Sequence, residues 1–199
     1  IAALSIGATK DTNDPLKLID RELQHDTEFT VRAMIKAGLP IEIIIRALGW
    51  QTENSYFKED IIKKITAIMP EFKDKAAIID VSKMAVSSRL LYIRLLDIAD
   101  SNKYKDEFFA LCDDNSKVIK AELVKVISAH KDWRDDVCKL LAQKKSAKRE
   151  TALMIIENQG ADAYRTELEK AYATEKSDKL KSKISELLGS EAKPADISD

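Results

Sequence analysis

The chain is 199 residues long, 45 % hydrophobic and 34 % charged, with a formal net charge of −1. That apolar share is enough to bury a core and argues against disorder, while near-neutrality excludes a whole-molecule field that would draw the protein onto nucleic acid or an anionic membrane. Five glycines and four prolines leave long stretches rich in Ala, Leu, Ile, Lys and Glu, a composition that suits helices far better than strands.

No run approaches the roughly 20 apolar residues of a membrane span, and residues 1–8 are too short and lack the basic leader of a signal peptide. A cytoplasmic location is therefore expected. A start at Ile1 without methionine suggests a processed protein or, the favoured reading, a piece of a longer one. Cys112 and Cys138 have no Cys or His at metal-ligand spacing, so they read as reduced, partly buried thiols, and neither a metal nor a cofactor is expected.

In chain order, residues 1–13 form an apolar extension expected to pack on an upstream repeat. Asp14-Pro15 then opens a helix with Leu16, Ile19 and Leu23 on its face. Thr27 is placed to cap the next helix, which turns Val31, Met34 and Ile35 inward until Gly38 ends it. Pro40 starts another, with Ile41, Ile44, Ile45 and Leu48 inward and a stop expected at Gly49. Gly38-Leu39-Pro40, Gly49-Trp50 and Ser55-Tyr56-Phe57 look like the helix-turn-helix of AraC-type regulators. However, Ser55 stands six rather than five residues after Gly49, and Lys58-Glu59-Asp60 brings acid where a basic residue is usual. The preferred reading is a repeat junction with Trp50 and Phe57 as core anchors.

From there a unit recurs about every thirty residues. Ser88, Ser116, Ser146 and Ser177 each precede an aliphatic residue at plus seven (Leu95, Leu123, Leu153, Ile184) and at plus ten (Ile98, Val126, Ile156, Leu187). Leu91, Ile119 and Leu180 at plus three complete a helical stripe. The serines are expected to be N-caps. Sixteen to eighteen residues on comes an aromatic: Phe72 (after Ser55), Tyr104, Trp133 and Tyr164. Four and seven residues beyond each, Ala76 and Ile79, Phe108 and Leu111, Val137 and Leu140, and Leu168 and Ala171 mark a second amphipathic helix. The aromatics read as packing residues with polar tips at the surface. Asp100-Ser101-Asn102 and Asn158-Gln159-Gly160 supply turns within the pairs. From Pro15 to Leu188 the pattern counts twelve helices, or six pairs, and residues 189–199 read as a tail or linker.

Val31-Arg32-Ala33-Met34 and the stretch from Ser116 to Leu123, set in hairpins of about thirty residues, resemble the HEAT-like repeat. The resemblance covers most of 14–188. It implies an all-α fold, a right-handed α-α superhelix of about six stacked hairpins with the second helix of each pair lining a concave face. The usual role of such repeats is to hold partners. Residues 145–188 are also similar to the helical repeat region of large bacterial proteins of unestablished function.

The serine-led helices are rich in cations near their starts. The candidate binding ridge comprises Arg89, Arg94, Lys117, Lys120, Lys148, Arg149, Lys179 and Lys181, flanked by Lys145, Lys176 and Lys183. Cations there oppose the helix dipole by about 0.3 to 1 kcal/mol each, so helix stability does not explain them. Glu122, Glu150, Asp178 and Glu186 share these helices. The ridge therefore reads either as a solvated face with ion pairs between repeats, the favoured reading, or as an anion-binding groove. His25 and His130 stand alone, and no nucleophile, base and acid come together in the sequence. The expected function is a non-catalytic scaffold binding a protein partner or another domain of its own chain. The alternative is nucleic-acid binding or processing along a basic concave ridge.

Overall fold

The computed structural model describes residues 27–39, 41–54, 81 and 84–189. The extension at 1–13, the helix opened by Asp14-Pro15, His25, the pair built on Phe72, and residues 190–199 lie outside the described residues, as do Phe57 and the side chains of Thr27 and Trp50. Every regular element among the described residues is helical. The chain divides into two compact units, Ile1–Tyr104 and Lys105–Asp199.

In the first unit, α1 spans Thr27–Lys36, α2 Ile41–Asn54 and α3 Val86–Asp100. Helix α1 buries Val31 and Met34 and ends at Gly38, where φ is +72°. There Gly38 N donates to Ile35 O at 3.0 Å and Leu39 N to Met34 O at 3.1 Å, the paired bonds of a Schellman end, which glycine adopts without strain.

The stop expected at Gly49 is not there, for α2 buries Ile44, Ile45, Ala47 and Leu48 and continues through Gly49 to Asn54. Gly49 has another reason to be glycine. A Cβ on it would lie 2.6 Å from both Cα and Oγ of Ser88 and 2.8 Å from its backbone N, so glycine lets α2 and α3 approach closely. Continuity through Gly49 also removes the turn that a helix-turn-helix would place there.

The second unit contains α4 (Lys105–Ala110), extended by a 3₁₀ turn over Leu111–Asp113, then α5 (Lys117–Ala129), α6 (Arg134–Leu141), α7 (Ser146–Gln159), α8 (Arg165–Thr174) and α9 (Asp178–Gly189). Short 3₁₀ turns, Lys131–Trp133 and Ala161–Tyr164, lead into α6 and α8. Helix α7 packs against α5 on one side and α9 on the other, α6 packs against α7, and α8 against α9. Thus α5, α7 and α9, the helices that follow Ser116, Ser146 and Ser177 in the sequence pattern, are neighbours, and α6 and α8 each lean on the helix that comes next in the chain.

The plus-seven residues Leu95, Leu123, Leu153 and Ile184 are all buried, as are Leu91, Ile119 and Leu180 at plus three. At plus ten, Val126, Ile156 and Leu187 are buried, but Ile98 is 45 % exposed. In α3 the buried positions run from Ser88 through Leu91, Tyr92, Ile93 and Leu95 to Leu96 and stop there, leaving the last turn with Ile98 outward. In the second helices, Phe108, Val137, Leu140 and Leu168 are buried, while Leu111 and Ala171 are half-buried.

Two further expectations need correction. Ser88 lies inside the first turn of α3 and is buried, Ser146 is the first residue of α7, and Ser116, although at the cap position of α5, makes no side-chain capping bond. Carboxylates order two of these entries instead. Ser116 N donates to Asp114 Oδ1 at 2.8 Å, and both Lys176 N and Ser177 N donate to Glu175 Oε1 at 2.9 Å. The aromatic tips are also not at the surface: Tyr104, Trp133 and Tyr164 are all buried at the mouth of a second helix. Tyr164 Oη donates to Gln159 Oε1, and Tyr104 Oη is buried without a partner among the described residues.

Candidate binding ridge

Helix dipoles favour carboxylates at a helix start. In the second unit α4, α6 and α8 follow that preference, with Asp106 and Glu107, Asp135 and Asp136, and Glu167 in their first turns. Helices α5 and α7 have no acid there. Their opening turns carry Lys117 and Lys120, and Lys148 and Arg149.

Lys120, Arg149 and Lys179 of the candidate ridge are tied to carboxylates about thirty residues away in the sequence. Glu150 on α7 holds Lys120 of α5 at 3.2 Å through one oxygen and Lys179 of α9 at 2.5 Å through the other. Arg149 meets Glu175 with two parallel bonds, Nε at 2.7 Å and Nη2 at 2.9 Å. Its Nη1 donates to the carbonyls of Gln143 and Lys144. Lys145 pairs with Asp113 at 2.6 Å and Lys183 with Glu157 at 2.6 Å. The second helices repeat the device, with Lys105 on Asp136 at 2.7 Å and Arg134 on Glu167 at 3.0 Å. In each of these pairs the partners are separated by 26 to 33 residues, about one repeat.

Electrostatics follow the geometry. The Arg149 guanidinium and the two amides at the start of α9 hold the Glu175 carboxyl down at about 2. Glu150 is lowered by its bonds from Lys179 and Lys120, Asp136 by those from Lys105 and Lys139, and Asp113 by that from Lys145. These carboxylates therefore stay charged in the folded protein.

Of the candidate ridge residues, Arg89 and Arg94 belong to the first unit, where Arg89 Nη1 donates to Met84 O and Arg94 is half-buried on α3. In the second unit Lys120, Arg149 and Lys179 are engaged as described. Lys148 is half-buried beside Cys112 and Asp113. The Lys181 ammonium sits 4.9 Å from the centre of the Tyr172 ring, in an open groove of about 480 Å³ also lined by Asp178, Ser182, Ser185 and Glu186. Lys117, at the start of α5, is exposed.

Two polar contacts between residues far apart in the chain were not visible in the sequence. Gln159, read as part of a turn, ends α7 and donates from Nε2 to the carbonyls of Ile127, Ser128 and His130 at 3.2, 3.3 and 3.2 Å. It thereby adds a donor at the carbonyl end of α5, where Ile127 O also accepts from His130 N. Buried Thr151 donates to Cys112 O at 2.8 Å. The only available signal was the offset of about one repeat between Gln159 and His130, which periodicity marks without naming a partner. His130 itself follows α5, with its ring stacked on Trp133 at 4.0 Å.

Both cysteines are free thiols, and burial pushes Cys112 up to about 12 and raises Cys138. At neutral pH neither is a thiolate nucleophile. Among the described residues no three His, Cys, Asp or Glu side chains gather where they could hold a metal ion, and no helix is long and apolar enough to cross a membrane. No protein-family model matches the chain, and neither a curated protein nor a solved structure matches it.

Proposed function

We propose that this chain is part of a helical-repeat scaffold, a right-handed HEAT-like α-α superhelix, that holds a protein partner or another domain of its own chain. One observation carries the reading: cores, ion pairs and carbonyl clamps in the second unit all join residues about one repeat apart. Such register makes each hairpin depend on its neighbours and builds an extended surface rather than an enclosed pocket. The nucleic-acid alternative draws less support, because Lys120, Arg149 and Lys179 already carry carboxylates.

The test is affinity isolation of the parent protein at its native level, with cross-linking to map contacts onto this segment. A stoichiometric protein or a second domain cross-linked along successive repeats is the expected result. Recovery with no such partner and no cross-link to the rest of the parent sinks the reading.

A further inference from the structure

Lys120, Lys145, Arg149, Lys179 and Lys183 are paired with carboxylates, but other lysines beside them are not. Lys117, Lys144 and Lys176 stand at the entrances to α5, α7 and α9, one per repeat. All three side chains are exposed, and none of their ammonium groups has a carboxylate partner among the described residues, although the backbone N of Lys176 donates to Glu175. The three entrances lie along one edge, because Lys145 bridges to Asp113, Arg149 to Glu175, and Glu150 to both Lys120 and Lys179.

No ion pair among the described residues accounts for the ammonium groups of these lysines. Each stands at the positive end of a helix, where its charge opposes the dipole; carboxylates meet that end in α4, α6 and α8, and Asp114, Glu175 and Asp178 do so at α5 and α9 without pairing with these ammonium groups. We infer that this edge docks an extended acidic segment of a protein partner, with one carboxylate for each of Lys117, Lys144 and Lys176. The inference rests on the scaffold reading and supplies the partner's chemistry.

Spacing selects the occupant. Packed helices lie about 8 to 10 Å apart, and three residues of extended peptide span about 10 Å, so a carboxylate at every third residue meets a lysine at each repeat. A phosphate backbone offers a charge about every 3.4 Å along each strand of a duplex, roughly three per helix spacing. The surplus charges would face Asp114 and Asp178, which stand on the same edge beside Lys117 and Lys176.

The experiment uses the full chain and three fluorescent probes: a peptide with glutamate at every third residue, a peptide of equal composition with its glutamates contiguous, and a single-stranded oligonucleotide of equal charge. Binding is followed by anisotropy at low and moderate salt. The spaced peptide is expected to bind tightest. Its affinity should fall about tenfold or more in the Lys117→Glu, Lys144→Glu, Lys176→Glu triple variant, and hold when Lys131, Lys139 and Lys170 on the other layer are reversed. Circular dichroism checks that both triple variants remain folded. Equal binding of the two peptides, tighter binding of the oligonucleotide, or equal losses in the two triple variants overturns the assignment. Each of those results concerns this edge alone and leaves the scaffold to its own cross-linking test.

Discussion

Gly49 on α2 and Ser88 on α3 meet so closely that no β-carbon fits between them, the space to Ser88 Cα being 2.6 Å. Gly49→Ala gains helix propensity of about 1 kcal/mol yet forces the two helices apart, a strain of about 1 to 3 kcal/mol or more. Because backbone atoms of Ser88 form the obstacle, trimming its side chain does not relieve it. Denaturant melts are expected to show net destabilisation of Gly49→Ala, both alone and combined with Ser88→Ala. An unchanged or raised midpoint contradicts the close approach.

Glu175 links the stability of the second unit to pH. Its side chain is 3 % exposed, and its carboxyl falls from 4.5 to about 2 on folding. The folded value is depressed, so the stabilisation is complete above pH 4.5 and is lost as pH falls toward 2. Its size is on the order of 2 to 3 kcal/mol. Glu175→Gln should lower stability at pH 7 and flatten the profile between pH 4.5 and 2, as read by urea titrations across that range.

Two lysines three residues apart should respond oppositely to charge reversal. Lys120→Glu loses the bond to Glu150 and sets two carboxylates together, costing about 1 to 2 kcal/mol, between the values for exposed and buried pairs. Lys117→Glu puts an acid at the start of α5 and should stabilise by about 0.3 to 1 kcal/mol. Thermal melts of the two single variants decide this. Equal shifts would mean the two sites are electrostatically alike.

Leu123 and Ile98 separate the repeat pattern from the packing. Leu123→Ala opens a cavity in the second unit and should cost about 2 to 5 kcal/mol. Ile98→Ala, at a position the period assigns to the core, should shift stability by less than about 0.5 kcal/mol because the side chain is largely exposed. Chemical denaturation of both variants provides the comparison.

Those residues also show what the sequence makes legible. Leu95, Leu123, Leu153 and Ile184 could be placed inside because one helical period buries one face, and that rule is local. Gly49 could not be read correctly, since a glycine that ends a helix and one that admits a neighbouring helix look the same until Ser88 is brought beside it. Ile98 was misplaced because burial on α3 ends at Leu96, and the period does not mark where the covering neighbours stop. The basic ridge was legible as a charge excess. Which cations are spent on carboxylates depends on distances between repeats, and Arg149 shows this best. It occupies the plus-three position where the other repeats hold an aliphatic residue, and its partner Glu175 lies 26 residues away.

The links made by α7 differ in kind on its two sides. Toward α5 and the turn before it, neutral groups, the hydroxyl of Thr151 on Cys112 O and the amide of Gln159, stand alongside the ion pairs of Glu150 with Lys120 and of Lys145 with Asp113. Toward α9 and the link before it, the polar connections are ionic: Glu150 to Lys179, Glu157 to Lys183, and Arg149 to Glu175. Dissolved ions weaken the second kind far more than the first, and most where the partners are solvent-accessible, as Lys179 is at 80 %. Ionic strength thus becomes a directional solvent variable for this protein. Raising it should speed amide exchange in α9 while α5 keeps its protection, so that the unit loosens from one end instead of melting evenly.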